Sequence, residues 1–179
     1  QIDGGSAVDT INVAMDGNFL LGFGSGGFMK NVEVVNLAAT TASVTPKQFN
    51  FTGVSGVQTI NVGAGNAAIG ISEISDVGIT VNLSGLSTGL FDVGYATGAI
   101  SGSGSSMTIG VTDVGTSLAD AVSLTSDGIT ELNLVSNGAQ NYVNLGNSVN
   151  DLVALNLSGQ GGIDLTAIPD TVSGLDASG

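Results

Sequence analysis

The fold is decided by six residues, Ile129-Thr130-Glu131-Leu132-Asn133-Leu134, and by how often their pattern returns. Upstream it appears as Thr10-Ile11-Asn12-Val13, Val32-Glu33-Val34-Val35-Asn36-Leu37, Val57-Gln58-Thr59-Ile60-Asn61-Val62 and Ile79-Thr80-Val81-Asn82-Leu83. Downstream it returns as Tyr142-Val143-Asn144-Leu145 and Leu152-Val153-Ala154-Leu155-Asn156-Leu157. Each copy is a short β-branched or leucine run carrying one asparagine, closed by a small or polar residue. Such runs favour strands, and a phrase that recurs along a whole chain marks a repeat architecture.

The spacing separates the possible folds. Asparagines at 12, 36, 61 and 82 lie 24, 25 and 21 residues apart; those at 133, 144 and 156 lie 11 and 12 apart. A rung of a parallel β-solenoid holds two or three short strands, so whole-rung and half-rung spacing look like this. A β-sandwich, the alternative, also sets strands about 8–12 residues apart. Recurrent asparagine favours the solenoid, because identical side chains stack into ladders in parallel sheets. The expectation is an all-β chain, mainly parallel β-solenoid, running as one continuous segment over 1–179. Ile60, Val62, Leu132, Leu134, Leu155 and Leu157 should face the core. Asn61, Asn133 and Asn156 should lie on the other face or in a ladder.

Three stretches break the rhythm and read as inserted loops: 18–27, 40–51 and 89–106. The second contains the alternation Phe49-Asn50-Phe51, which suggests a strand with an aromatic face at an edge. Phe19, Phe23, Phe49, Phe51, Phe91 and Lys47 fall within these stretches. They are expected to contact neighbouring subunits, with Lys30 and Lys47 meeting acidic turns. Helix signals are weak; Ser117 to Val122 has room for a turn or two.

Composition narrows the function. Hydrophobic residues make up 42% of the 179 residues but aromatics only 4%, so the core must be thin layers of aliphatic side chains. Fifteen acidic residues face two lysines, with no arginine and no histidine, giving a net charge of −13. Nucleic-acid binding is excluded, since no basic patch can form. No apolar run reaches the ~18 residues of a membrane helix, so no membrane insertion is expected. Without histidine or cysteine the usual bases and nucleophiles are missing, and the chain reads as a non-enzyme. The start at Gln1, inside a phrase, reads as a piece of a longer polypeptide.

Twelve of the acids are Asp, mostly beside Gly, Ser, Asn or Thr. Clustered carboxylates on a compact rod repel, and a divalent cation such as Ca²⁺ relieves that repulsion. The sharpest candidate is Asp3-Gly4-Gly5-Ser6-Ala7-Val8-Asp9-Thr10-Ile11, where glycines permit a tight turn and Asp supplies hard oxygen. Asp9 is the leading metal ligand, with Asp3 beside it. Acidic turns at Asp127, Asp164 and Asp176 follow, and Asp113 does so more weakly.

The opening resembles the calcium-binding nonapeptide G-G-x-G-x-D-x-U-x of RTX (repeats-in-toxin) proteins. Gly4 and Gly5 match the paired glycines, Asp9 the ligand and Ile11 the inward apolar residue, while Ala7 departs from the expected glycine. The longer pattern is similar to bacterial surface-layer (S-layer) proteins. It comprises Asn31 to Leu37, Gly56 to Val62, Gly128 to Leu134 and Leu155 to Thr166. This resemblance implies an RTX-like, calcium-loaded β-solenoid, secreted by a type I system and self-assembling with identical subunits on the bacterial cell surface. It also implies that cell-surface polysaccharide is met through another part of the chain. The alternative is the stalk of a large secreted RTX adhesin.

Overall fold

The alternating phrases form strands that pair only with their copies one rung away, and every pairing is parallel. The structure is a computed structural model and describes residues 1–24, 26–41, 43–63, 67–87, 89–100, 105–146 and 151–178. The first three rungs each have three sides. Their strands are β1 (Ile2–Asp3) and β2 (Thr10–Met15); then β3 (Met29–Lys30), β4 (Val34–Ala39) and β5 (Ser43–Asn50); then β6 (Val54–Ser55), β7 (Thr59–Gly63) and β8 (Ala67–Ile74). In the first rung Phe19 supplies the third side as a single bridge to Phe49. Two-strand rungs follow: β9 (Thr80–Ser84) with β10 (Gly89–Tyr95), and β11 (Ser106–Thr112) with β12 (Val122–Ser126). Next come β13 (Glu131–Asn137) with β14 (Gln140–Asn144), and β15 (Ala154–Gly159) with β16 (Gly162–Thr166). β17 (Gly174–Asp176) begins another rung.

Stacking yields an eight-stranded sheet (β2-β4-β7-β9-β11-β13-β15-β17), a six-stranded sheet (β5-β8-β10-β12-β14-β16) and a three-stranded sheet (β1-β3-β6). The whole is a parallel β-solenoid of about 7 turns. Among the described residues the single helical element is a 3-10 turn, Leu118–Asp120, capped by the Ser117 side chain.

The core is a set of columns. Ile11, Val35, Ile60, Val81, Ile109, Leu134 and Leu157 stack in register down the eight-stranded sheet. Ile69, Ile71, Phe91, Val93, Val122, Leu124 and Val143 of the six-stranded sheet are buried with them. Ile60, Val62, Leu132, Leu134 and Leu155 are fully enclosed, as the alternation predicts. Leu157 is only half-buried, because β17 covers Ala154 to Asn156 and stops short of it.

The asparagines do form a ladder, in two pieces. Asn36 donates its Nδ2 to Asn12 Oδ1 (2.7 Å), Asn61 to Asn36 (2.8 Å) and Asn82 to Asn61 (2.9 Å). The column then meets Gly110, where a Cβ would sit 2.4 Å from Asn82 Oδ1, so only glycine accepts the amide. Asn133 pairs with Thr108, two residues back along β11, and donates to Ser106 Oγ (2.8 Å). Asn156 donates to Asn133 Oδ1 (2.8 Å), and Asp176 follows in that column. The phrase therefore slips by two residues across β11. Asn144 lies in β14 on the other sheet, which explains its half-rung spacing.

Two of the three expected loops are largely strand. Residues 43–50 form β5 at the edge of the six-stranded sheet, and residues 89–95 form β10 within it. Part of the expected loop 89–106, residues 101–104, lies outside the described residues. Phe49, Phe51 and Phe91 are 5%, 3% and 1% exposed, so they fill the core and are not presented to a neighbour. Phe19 stacks on Phe49 (ring centroids 5.1 Å) and Phe49 on Phe51 (4.9 Å), because the wide early rungs leave room that aliphatic side chains cannot fill. Lys47 is buried and donates to Met15 O (3.0 Å) and Thr41 Oγ1 (2.7 Å), and among the described residues it forms no ion pair with an acid. Lys30 does meet an acid, pairing with Asp3 within the chain. Of 18–27, Leu20 and Leu21 protrude, at 56% and 85% exposure.

Candidate metal site at the first corner

The glycine pair after Asp3 is dictated by backbone geometry. A Cβ on Gly4 would lie 1.8 Å from the Asn31 carbonyl oxygen, and Gly5 has φ +96°, the left-handed region that glycine alone enters freely. These two residues fold the chain back from β1 toward β2. Asp3 and Asp9 are thereby brought to one corner of the solenoid, against the next rung.

Each acid there is differently engaged. Asp3 Oδ1 accepts from Asn31 Nδ2 (2.8 Å) and Gly5 N–H (3.2 Å), and its Oδ2 pairs with Lys30 Nζ (3.0 Å). Hydrogen bonds from Asn31 and then Lys30 hold this carboxyl below its ordinary value. Asp9 uses its backbone to bind the neighbouring rung. Its N–H donates to Glu33 Oε2 (2.8 Å) and its carbonyl accepts from Glu33 N–H and Val34 N–H (3.1 Å each). Its side-chain Oδ2 is buried and accepts no hydrogen bond. An acceptor buried without a partner is uncommon.

Glu33 is the residue that sequence reasoning missed. Asp9 precedes Thr10, Glu33 precedes Val34, and Thr10 pairs with Val34, so the two acids share one column. Aligning the repeats on their asparagines, with attention to the position three residues before each, reveals the pair. The two residues stand just before adjacent strands, so their backbones lie about one strand spacing apart, ~4.8 Å.

The other candidates lie elsewhere. Asp127 is exposed in the turn after β12, Asp164 is exposed on β16, and Asp176 is exposed on β17 of the opposite sheet. Hydrogen bonds from Ser178, whose N–H lies 2.9 Å from Asp176 Oδ1, hold the Asp176 carboxyl below its ordinary value. Asp113, in a left-handed conformation (φ 52°), accepts from Ala139 N–H (3.1 Å) and so ties two rungs together. The five Asp residues thus form one acidic corner and three separate positions. Among the described residues, no group of three or more His, Cys, Asp or Glu is placed to hold a metal ion. At the first corner Asp3 is taken by Lys30, which leaves two carboxylates, Asp9 and Glu33; calcium takes six to eight oxygens, the remainder being backbone carbonyl and water.

The chain matches no protein-family model, no curated protein and no solved structure.

Proposed function

We propose that this solenoid is a structural segment of a bacterial surface layer, secreted by a type I system and self-assembling with identical subunits, with Ca²⁺ as its stabilising ion. The observation that carries the reading is the stack of about 7 rungs combined with an uncompensated charge of −13. A rod of stacked rungs offers long, repetitive flanks for contacts between identical copies. Assembly of such copies brings carboxylates together, and a divalent ion offsets that repulsion.

Asp9, with its orphaned Oδ2, and Glu33 are the residues that would hold the ion at the first corner. The ion would supply charge neutralisation and pin the Gly4-Gly5 turn to the second rung. Leu20 and Leu21, protruding beside the Phe19 bridge, are the apolar groups best placed for a subunit contact. Assembly, not catalysis, is the chain's work in this reading.

Adding Ca²⁺ to the purified chain and imaging it by electron microscopy tests the proposal. Two-dimensional sheets that dissolve in EDTA are expected. Calcium-stiffened single rods would transfer the reading to an adhesin stalk, and a melting temperature unmoved by EDTA would remove calcium from it.

A further inference from the structure

A second feature of the flank is unrelated to the acidic corner. Where β10 ends beside β12, a cavity of about 650 Å³ opens on the side of the solenoid, well within the range of small-ligand sites. A β-bulge shapes it. Val93 pairs with Ile71 but Tyr95 pairs with Ile74, so β8 carries one extra residue alongside β10. Glu73, inside that bulge, sits in the left-handed region at φ 59°. Bulges re-aim the side chains beside them, and here Tyr95 lines the cavity.

The polar wall comes from two adjacent strands. Asp92 lies opposite Thr125 in the register, and the Thr125 hydroxyl donates to Asp92 Oδ1. Among the described residues, Asp92 Oδ2 and both Asp127 oxygens accept no hydrogen bond. Between Thr125 and Asp127 stands Ser126, 2% exposed, whose Oγ has no partner. A buried hydroxyl left unsatisfied in a cavity wall is unusual. Neither lysine neutralises the site, since Lys30 is paired with Asp3 and Lys47 is buried against Met15 O. Leu90, Ile100 and Tyr95 add apolar lining.

We propose that this cavity binds a neutral polyhydroxylated ligand, a hexose unit of a saccharide. Carboxylates only accept hydrogen bonds, so Asp92 and Asp127 require a ligand rich in donors, and they repel anions. A bare metal ion would leave the apolar side chains that line the cavity unused. A sugar ring presents hydroxyls along its edge and C–H groups on its face. The hydroxyls donate to Asp92 and Asp127, and the C–H face lies on Tyr95. Burial first, and the Asp76 charge second, push the Tyr95 phenol above its ordinary value, so it stays protonated and neutral.

The monomeric 179-residue chain, kept in EDTA, is titrated with glucose, galactose, mannose and rhamnose while backbone amide NMR shifts are followed. We expect at least one sugar to bind in the millimolar range, with shifts confined to residues 90–100 and 125–127. Asp92→Asn and Asp127→Asn should each weaken binding about tenfold or more. Absence of any sugar-dependent shift well above millimolar concentration overturns the proposal. So does undiminished binding in Asp127→Asn, or a response of these amides to Ca²⁺ alone. Because the assay uses single chains, failure to form sheets has no bearing on its outcome.

Discussion

Replacing Asn61 by Ala removes the middle of the first amide ladder, and its cost can be worked from the bonds it makes. Asn61 donates to Asn36 (2.8 Å) and accepts from Asn82 (2.9 Å). Each such bond contributes about 0.5–1.5 kcal/mol net, so the loss should be about 1–3 kcal/mol. Its partial exposure lets water re-solvate the freed partners, which favours the lower half of that range. Asn12, at the ladder's end, accepts only from Asn36 (2.7 Å), and Asn12→Ala should cost about half as much. Asn61→Asp is the third arm: it still accepts from Asn82 but places a second acceptor against Asn36 Oδ1, and should cost at least as much as alanine. Urea unfolding followed by circular dichroism measures all three, provided the slope with denaturant is unchanged. Equal losses for Asn12→Ala and Asn61→Ala would refute the ladder as a stabilising device. A harmless Asn61→Asp would show that its polarity has no consequence.

Three further outcomes follow from the packing and charge. Gly110→Ala should destabilise by about 1–3 kcal/mol, because its Cβ would lie 2.4 Å from Asn82 Oδ1. Adding Asn82→Ala should recover much of that loss, and strict additivity in this double-mutant cycle would count against the contact. Phe49→Ser, in a ring held between Phe19 and Phe51, should cost about 3–5 kcal/mol, whereas Leu21→Ser should stay within about 0.5 kcal/mol; similar unfolding midpoints for the two would place Phe49 outside the core. The Asp3 carboxyl is held below the ordinary carboxylate value, so its stabilisation is complete above that value and is lost as pH falls through the lower folded one. Acid unfolding of Asp3→Asn should therefore lose part of its slope below about pH 4, and an unchanged acid limb would separate the Lys30 pair from stability.

Much of the fold was legible because a parallel solenoid writes its geometry directly into sequence. Each rung repeats the same inward and outward alternation, so Ile60 and Leu134 could be placed in the core from their neighbours alone. The asparagines signalled parallel stacking for a physical reason, since only in-register copies can bond amide to amide. What misled was the strand without an asparagine. β10 (Gly-Leu-Phe-Asp-Val-Gly-Tyr) is interrupted by glycine and reads as a loop, yet Phe91 and Val93 alternate inward like any other rung. Phe49 and Phe51 misled in the other direction. Aromatic residues in an aromatic-poor chain look like interface, but the wide early rungs consume them as filling. At the candidate site, glycine and Asp9 were visible locally, whereas Glu33 belonged to the next rung and needed the register to be seen.

The slip at β11 has a consequence for how this chain can change over time. Within either half, one rung can be copied or lost and its neighbours still offer an amide partner at the right position. Across β11 that freedom ends, because Thr108 and Gly110 each serve a differently phased column on either side. In the eight-stranded sheet β4, β7 and β9 carry the amide at one shared position, and β13 and β15 at another, but β11 is an adaptor with two unlike faces. Recombination that removed it would bring Thr80 under Asn133 and Asn82 under Val135, unless the chain slid by two residues and rebuilt its core contacts.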